Sequence, residues 1–212
     1  SFVPSEFELS FAHDGDLPSL ELKGENSLVS FSGKVDRIDT YEKDGKLYFV
    51  YSAYMYTGYQ NLQICEMENP YTLKTDENGK HNCTVLSKPQ YSWEKRGWSV
   101  NEGPAVLYLD DEIYLLYSAS GFSSNNYCLG MLTLKGDDVM NKKSWCKSLV
   151  KVYGHQPLKE IYSPGHCSFL YRENGDIYMV YHANSEMDFF TNPRLTYLRK
   201  VEFKCGVPCV KG

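Results

Sequence analysis

Three stretches of this chain follow one plan, and that repetition limits the folds open to it more than any other feature. Residues 43–54 read KDGKLYFVYSAY, residues 109–121 read LDDEIYLLYSASG, and residues 173–185 read ENGDIYMVYHANS. Each is a tight polar turn followed by a tyrosine-centred apolar strand that ends in small or polar residues. The matched tyrosines Tyr48, Tyr114 and Tyr178 are 66 and 64 residues apart. The cysteines carry the same period independently. Cys65 and Cys83 are 18 apart, Cys128 and Cys146 are 18 apart, and each of the second pair lies 63 beyond its counterpart. Repeats of several strands at a period of roughly 40 to 50 residues or a little more indicate propeller blades. The expected fold class is therefore all-β, a β-propeller.

The aromatic content agrees with strands, since 18 tyrosines and 10 phenylalanines in 212 residues favour a pleated, half-buried surface. A formal charge of −5 without a basic cluster gives no footprint for nucleic acid. No apolar run approaches the roughly 20 residues of a membrane-spanning helix, so no membrane partner is expected. No signal peptide is recognisable, which makes Ser1 a mature N-terminus or an internal start. Seven cysteines, two pairs of them at matched spacing, and the glycosylation sequon Asn82-Cys83-Thr84 suggest a secreted or extracellular protein with an oxidising history. Reduced cytosolic thiols are the alternative. Zinc is not indicated, because neither Cys-x-x-Cys nor His-x-x-x-His spacing occurs.

Turn signals divide the chain into a remnant of a preceding blade (1–35, with a turn at Asp14-Gly15-Asp16) and three blades, 36–89, 90–159 and 160–212. At most one or two helical turns are expected, over 137–143. Aligned cysteines predict two equivalent disulfides, Cys65–Cys83 and Cys128–Cys146, each closing a loop worth about 3 kcal/mol. Cys205 and Cys209 form a third candidate pair, and Cys167 is left odd.

The stretch VNEGPAVL places a lone acid, Glu102, just before Gly103-Pro104. Proline offers no ladder donor there, so Glu102 belongs at a strand entrance, where apolar neighbours suit a carboxyl group that donates a proton. The corresponding blade positions carry Asp39 and His166. Strands that open propeller blades line the central channel, so the three side chains are expected to converge. The plainer alternatives are a solvated loop glutamate, an aspartate bonded to backbone amides, and a core histidine.

The segments VNEGPAVL, YLLYSASG, NYCLGMLT, SW followed by KS, PGHCSF, VYHAN and NPR resemble glycoside hydrolase family 43. The likeness is greatest to the branch with α-L-arabinofuranosidases and related arabinan-degrading enzymes. It covers nearly everything from Ile38 onward. The resemblance implies a five-bladed β-propeller of which this chain supplies about three and a half blades. It implies hydrolysis with inversion by an aspartate base, a glutamate acid and a second aspartate that tunes the acid. By position Glu102 is then the general acid and Asp39 the tuning aspartate. His166 matches a central histidine associated with a channel water or bound cation, and Arg194 a basic residue near the sugar, although arginines are more often plain surface cations. Trp98, with Trp93 and Tyr91, is a candidate sugar platform, with core packing as the alternative. No cofactor is required by this chemistry, and a Ca or Na ion in the channel is the one metal implied.

Two departures stand out. No Asp-Pro strand entrance precedes Asp39, so the base is expected on a segment absent from these 212 residues. Cys167 stands where the family usually has Asn. Three and a half blades of about 64 residues do not close a five-bladed ring, and open edges invite a second chain. The functional expectation is a secreted, exo-acting, inverting α-L-arabinofuranosidase acting on arabinose-containing oligosaccharides. The alternative is a non-catalytic glycan-binding or assembly propeller.

Overall fold

A computed structural model describes residues 2–11, 20–24, 27–31, 33–41, 45–55, 58–69, 71–109, 111–187, 194–204 and 207–210. Up to residue 41 the description is of backbone alone, and the expected turn at residues 14–16 lies outside the described residues. The chain divides into two compact units, Ser1–Val50 with Ile64–Thr84, and Tyr51–Gln63 with Val85–Gly212.

In the first unit, β1 (Phe2–Phe11), β2 (Leu20–Gly24), β3 (Ser27–Phe31) and β4 (Gly33–Tyr41) form two antiparallel pairs, β1 with β4 and β2 with β3. Asp39 stands opposite Pro4 in the first pair. A further sheet follows, built from β5 (Leu47–Met55), β6 (Tyr59–Asn69) and β7 (Thr72–Leu73), with β8 (Cys83–Ser87) also paired to β6. The expected Cys65–Cys83 disulfide joins β6 to β8, with the two Cα atoms 4.1 Å apart. Asn82, beside it, is exposed, and its side-chain amide donates to Glu66 Oε2 at 3.3 Å.

Two four-stranded antiparallel sheets dominate the second unit. The first has the order β12–β11–β10–β9, from β9 (Asn101–Leu109), β10 (Glu112–Ala119), β11 (Cys128–Leu134) and β12 (Trp145–Lys147). The second runs β13–β14–β15–β16, from β13 (Tyr162–Tyr171), β14 (Ile177–Asn184), β15 (Leu195–Lys204) and β16 (Val207–Val210). The repeated tyrosine motif therefore supplies β10 and β14, an inner strand of each sheet. Every residue of β10 from Tyr114 to Ala119 is buried, as expected for a strand covered on both faces. Leu107, Tyr114, Leu116, Leu129 and Met131 of the first sheet pack with Phe169, Ile177, Met179 and Tyr181 of the second. Burying each such side chain contributes about 1.5–3 kcal/mol. The expected helical turn shrinks to a 3₁₀ turn, Lys142–Ser144. No helix among the described residues is long and apolar enough to cross a membrane.

The second expected disulfide does not form, and strand register is the reason. Cys146 stands opposite Thr133 on β11, whereas Cys128 lies five residues further along, opposite Ala119 on β10. At about 3.3 Å per residue, that places the two cysteines about 17 Å apart along the strand, far beyond disulfide reach. The backbone that does return to this end of β11 is Tyr153, bridged to Leu129. Cys128 is a buried free thiol, pushed up to about 12 by its burial, and Cys146 is exposed and free. Cys209 is also a free thiol, so it is not tied to Cys205, which itself lies outside the described residues.

Candidate active site

Glu102 is the second residue of β9, directly opposite Ser118 on β10. Successive strand residues point to opposite faces, and two adjacent pairs use this to separate two polar networks. Asn101 and Tyr117 turn inward to a buried carboxylate, while Glu102 and Ser118 turn to the other face.

On that face the Tyr127 hydroxyl donates to Glu102 Oε1 at 2.8 Å. Tyr127 is 1% exposed; burial, then the charge of Glu102, pushes its phenol well above the usual range, so it stays protonated. Its ring lies over Gly165, where a Cβ would sit 2.1 Å from a ring carbon. The Arg194 guanidinium stands 5.2 Å from the ring centre. Arg194 is spent on acceptors: its Nη2 donates to the carbonyls of Ser163 (2.6 Å) and His182 (3.2 Å). Its Nη1 donates to the Phe122 carbonyl (3.2 Å) and to Asn184 Oδ1 (3.2 Å), and its Nε donates to His182 Nδ1. Burial, and then the neighbouring Arg194 charge, push the His182 imidazole down to about 4.

His166 is exposed and stacks on His182 with ring centres 5.8 Å apart. Its own backbone is left-handed, φ 51°, as is that of Ser163, φ 54°. Such residues cost about 1–3 kcal/mol each and cluster at functional sites. They accompany two register shifts in β13, on either side of Gly165, and the backbone N–H of His166 reaches Ser118 Oγ at 2.6 Å. Gly103, next to Glu102, has φ 53°, and a Cβ there would lie 3.1 Å from the His166 ring. Thus Glu102, His166 and Arg194 are brought together through Tyr127, Ser118 and His182.

Trp98 stands at the rim, 59% exposed, and meets Phe122 edge-on at 5.6 Å. Its loop is held to the end of β10 by the Gly121 N–H donating to the Arg96 carbonyl, 2.8 Å. Trp93 and Tyr91 stack on one another, and Trp93 Nε1 donates to the Leu149 carbonyl. Cys167 is buried in the core, its thiol pushed up to about 12 by that burial, so this departure from the family pattern does not line the site. Asp39 belongs to the first unit, and its side chain lies outside the described residues.

The described residues alone do not assemble a cation site. Among the described residues no three His, Cys, Asp or Glu side chains converge. His182 already accepts from Arg194, whose positive charge opposes a second cation. Hard cations of this kind also require several oxygen ligands.

The second network was not foreseen from the sequence. Glu94, wholly buried, pairs with Lys147 Nζ at 2.5 Å and accepts from the backbone N–H groups of Gln90 and Tyr91 (2.7 and 2.8 Å). Asn101 Nδ2 (2.9 Å) and the Tyr117 hydroxyl (3.0 Å) complete its shell. Burial alone would raise this carboxyl group, but the bonds from Lys147, Tyr91 and Gln90 outweigh it and hold the group below its usual range.

The sequence profile of Glycosyl hydrolases family 43 matches residues 26–208. The chain belongs to that family. It is 37% identical over 166 residues to an extracellular exo-α-(1→5)-L-arabinofuranosidase of Streptomyces avermitilis, covering 72% of this chain and 33% of that protein. It is 37% identical over 136 residues to α-L-arabinofuranosidase 43 of Humicola insolens, covering 63% of this chain and 27% of that protein. The crystal structure of α-L-arabinofuranosidase from Lactobacillus brevis aligns with a TM-score of 0.71 at 32% identity, over 88% of this chain and 60% of that one. The expected all-β, propeller-type fold is the fold that this family-43 chain shares with its solved relatives. The chain spans about a third of the length of the curated relatives it matches.

Proposed function

We propose that the complete protein is a secreted, exo-acting α-L-arabinofuranosidase that cleaves with inversion, with Glu102 as general acid. The observation that carries this reading is the setting of Glu102: a carboxyl group at a strand entrance, held through one oxygen by a buried phenol. It lies in a chain whose relatives are named arabinofuranosidases. In such a reaction the acid protonates the leaving glycosidic oxygen. A carboxylate roughly 6.5–9.5 Å away activates water on the opposite face of the sugar. That base is assigned to a segment outside these 212 residues, and Asp39 takes the tuning role on the sequence resemblance. His166 and the exposed Trp98–Phe122 pair offer a ring edge and an aromatic surface to the sugar, while Arg194 braces the walls. Export is supported by the Cys65–Cys83 disulfide and by the relative named extracellular.

The test is hydrolysis by the complete protein of an α-L-arabinofuranoside with a poor, alkyl leaving group. Glu102→Gln is expected to lower kcat by roughly 10²–10⁴-fold, the usual contribution of general acid catalysis, while proton NMR of the wild type detects the inverted anomer first. Unchanged turnover in the variant removes Glu102 from the mechanism. Sugar binding without turnover by the complete wild-type protein supports instead a non-catalytic glycan-binding propeller.

A further inference from the structure

The described hydrogen bonds leading toward Glu102 run in one direction, and the direction has a chemical consequence. The chain starts at the backbone N–H of His166, which can only donate; its acceptor is Ser118 Oγ, at 2.6 Å. Ser118 is 0% exposed, so water does not take its proton; it stands opposite Glu102, and the relay assigns that proton to the neighbouring Tyr127 oxygen, in line with the influence of Ser118 on the phenol. Tyr127, buried and kept protonated, donates in turn to Glu102 Oε1. The left-handed backbone at His166 accompanies the register shifts of β13 beside Gly165 and starts the relay. The bare Cα of Gly165 gives the phenol its place.

We propose that this relay decides which oxygen of Glu102 carries the transferable proton: Oε1 is occupied as an acceptor, so the proton sits on Oε2. The proposal rests on the reading of Glu102 as general acid. In the chemical step the proton leaves Oε2 for the glycosidic oxygen as the bond from that oxygen to the anomeric carbon breaks, with the bonding pair passing to the oxygen. Water adds to the anomeric carbon and gives its proton to the base. Glu102 is left as a carboxylate, and the Tyr127 bond to Oε1 becomes charge-assisted and stronger. Tyr127 thus stabilises the transition state more than the ground state, the condition for accelerating the step. Tyr127 and Ser118 are positioning residues.

The experiment compares two arabinofuranosides in the complete protein. One has a methoxide leaving group, which needs a proton, and the other has 2,4-dinitrophenolate, which does not. Tyr127→Phe keeps the ring over Gly165 and against Arg194. It is expected to lower kcat for the methyl glycoside by roughly 10- to 100-fold, the scale of misplaced proton transfer. The dinitrophenyl substrate should change by only about twofold and KM should hold, since no ground-state sugar contact is lost. Ser118→Ala should give the same pattern with a smaller amplitude, and it reports independently if the phenylalanine variant folds poorly. An equal loss on both substrates, or no loss, in both variants overturns the relay while Glu102→Gln still separates the substrates. If Glu102→Gln itself treats them alike, the acid reading falls, and the relay with it.

Discussion

Two polar networks meet at one strand start, and they are built on opposite rules. Around Glu94 a buried negative charge faces a positive one, Lys147, with four further donors filling its oxygens. Around Glu102 the only side chain among the described residues bonded to the carboxyl group is a neutral phenol at one oxygen, and the nearby cation, Arg194, is committed to carbonyls and to His182. The first network is saturated and fixes structure. The second leaves Oε2 without a described donor, which is what the proposed role of Glu102 as proton donor requires. Asn101 and Glu102 are neighbours in sequence, so a single pleat separates scaffold from chemistry.

The largest effect expected from breaking this contrast is on the saturated side. Lys147→Met removes one partner of a buried pair and should destabilise the protein by about 3–5 kcal/mol, read as a drop in urea midpoint. Arg194→Lys keeps the charge but loses the planar fork and strands carbonyls around Ser163 and His182. It should cost about 1–3 kcal/mol in the same measurement.

Acid sharpens the comparison by separating the two networks on the pH axis. The His182 imidazole lies near 4 in the folded protein, against the usual 6.5. Between those values the unfolded chain takes up a proton that the fold refuses, so stability falls as pH drops through that window. His182→Asn, which keeps an acceptor, should flatten that part of a melting-temperature profile. Glu94 is held below its usual 4.5, so its contribution is complete above that pH and is lost only as pH falls further. The smallest stability effect belongs to Trp98→Ala, expected within about 0.5 kcal/mol because the side chain is exposed. A severalfold rise in KM for arabino-oligosaccharides is expected with it.

How much of this was legible in the sequence depends on whether a signal was local or a matter of register. The tyrosine repeat marked β10 and β14 because side-chain alternation is written in consecutive residues. Glu102 was visible from its Gly-Pro neighbours, and His166 and Arg194 from their motifs. The cysteine period misled at Cys128 and Cys146, because equal spacing in sequence does not carry equal pairing along a strand. Tyr127, Ser118 and His182 carry no such local mark, because each looks like an ordinary strand or turn residue. One signal did exist: Ser118 in YSAS and His182 in YHAN hold the same place in the repeat. Glu94, in the loop-like SWEKRGW, gave no sign of burial, since its partner Lys147 lies 53 residues away and meets it only once the first sheet has formed.

Position 165 gathers these threads. With a methyl group in place of its hydrogen the aromatic ring above it could not remain, and the acid would lose its tether without any ionisable residue having been touched. On the proposed role of Glu102, a glycine with no chemistry of its own would hold a veto over proton transfer, and an inactive variant at this position would look, from its titrating groups alone, intact.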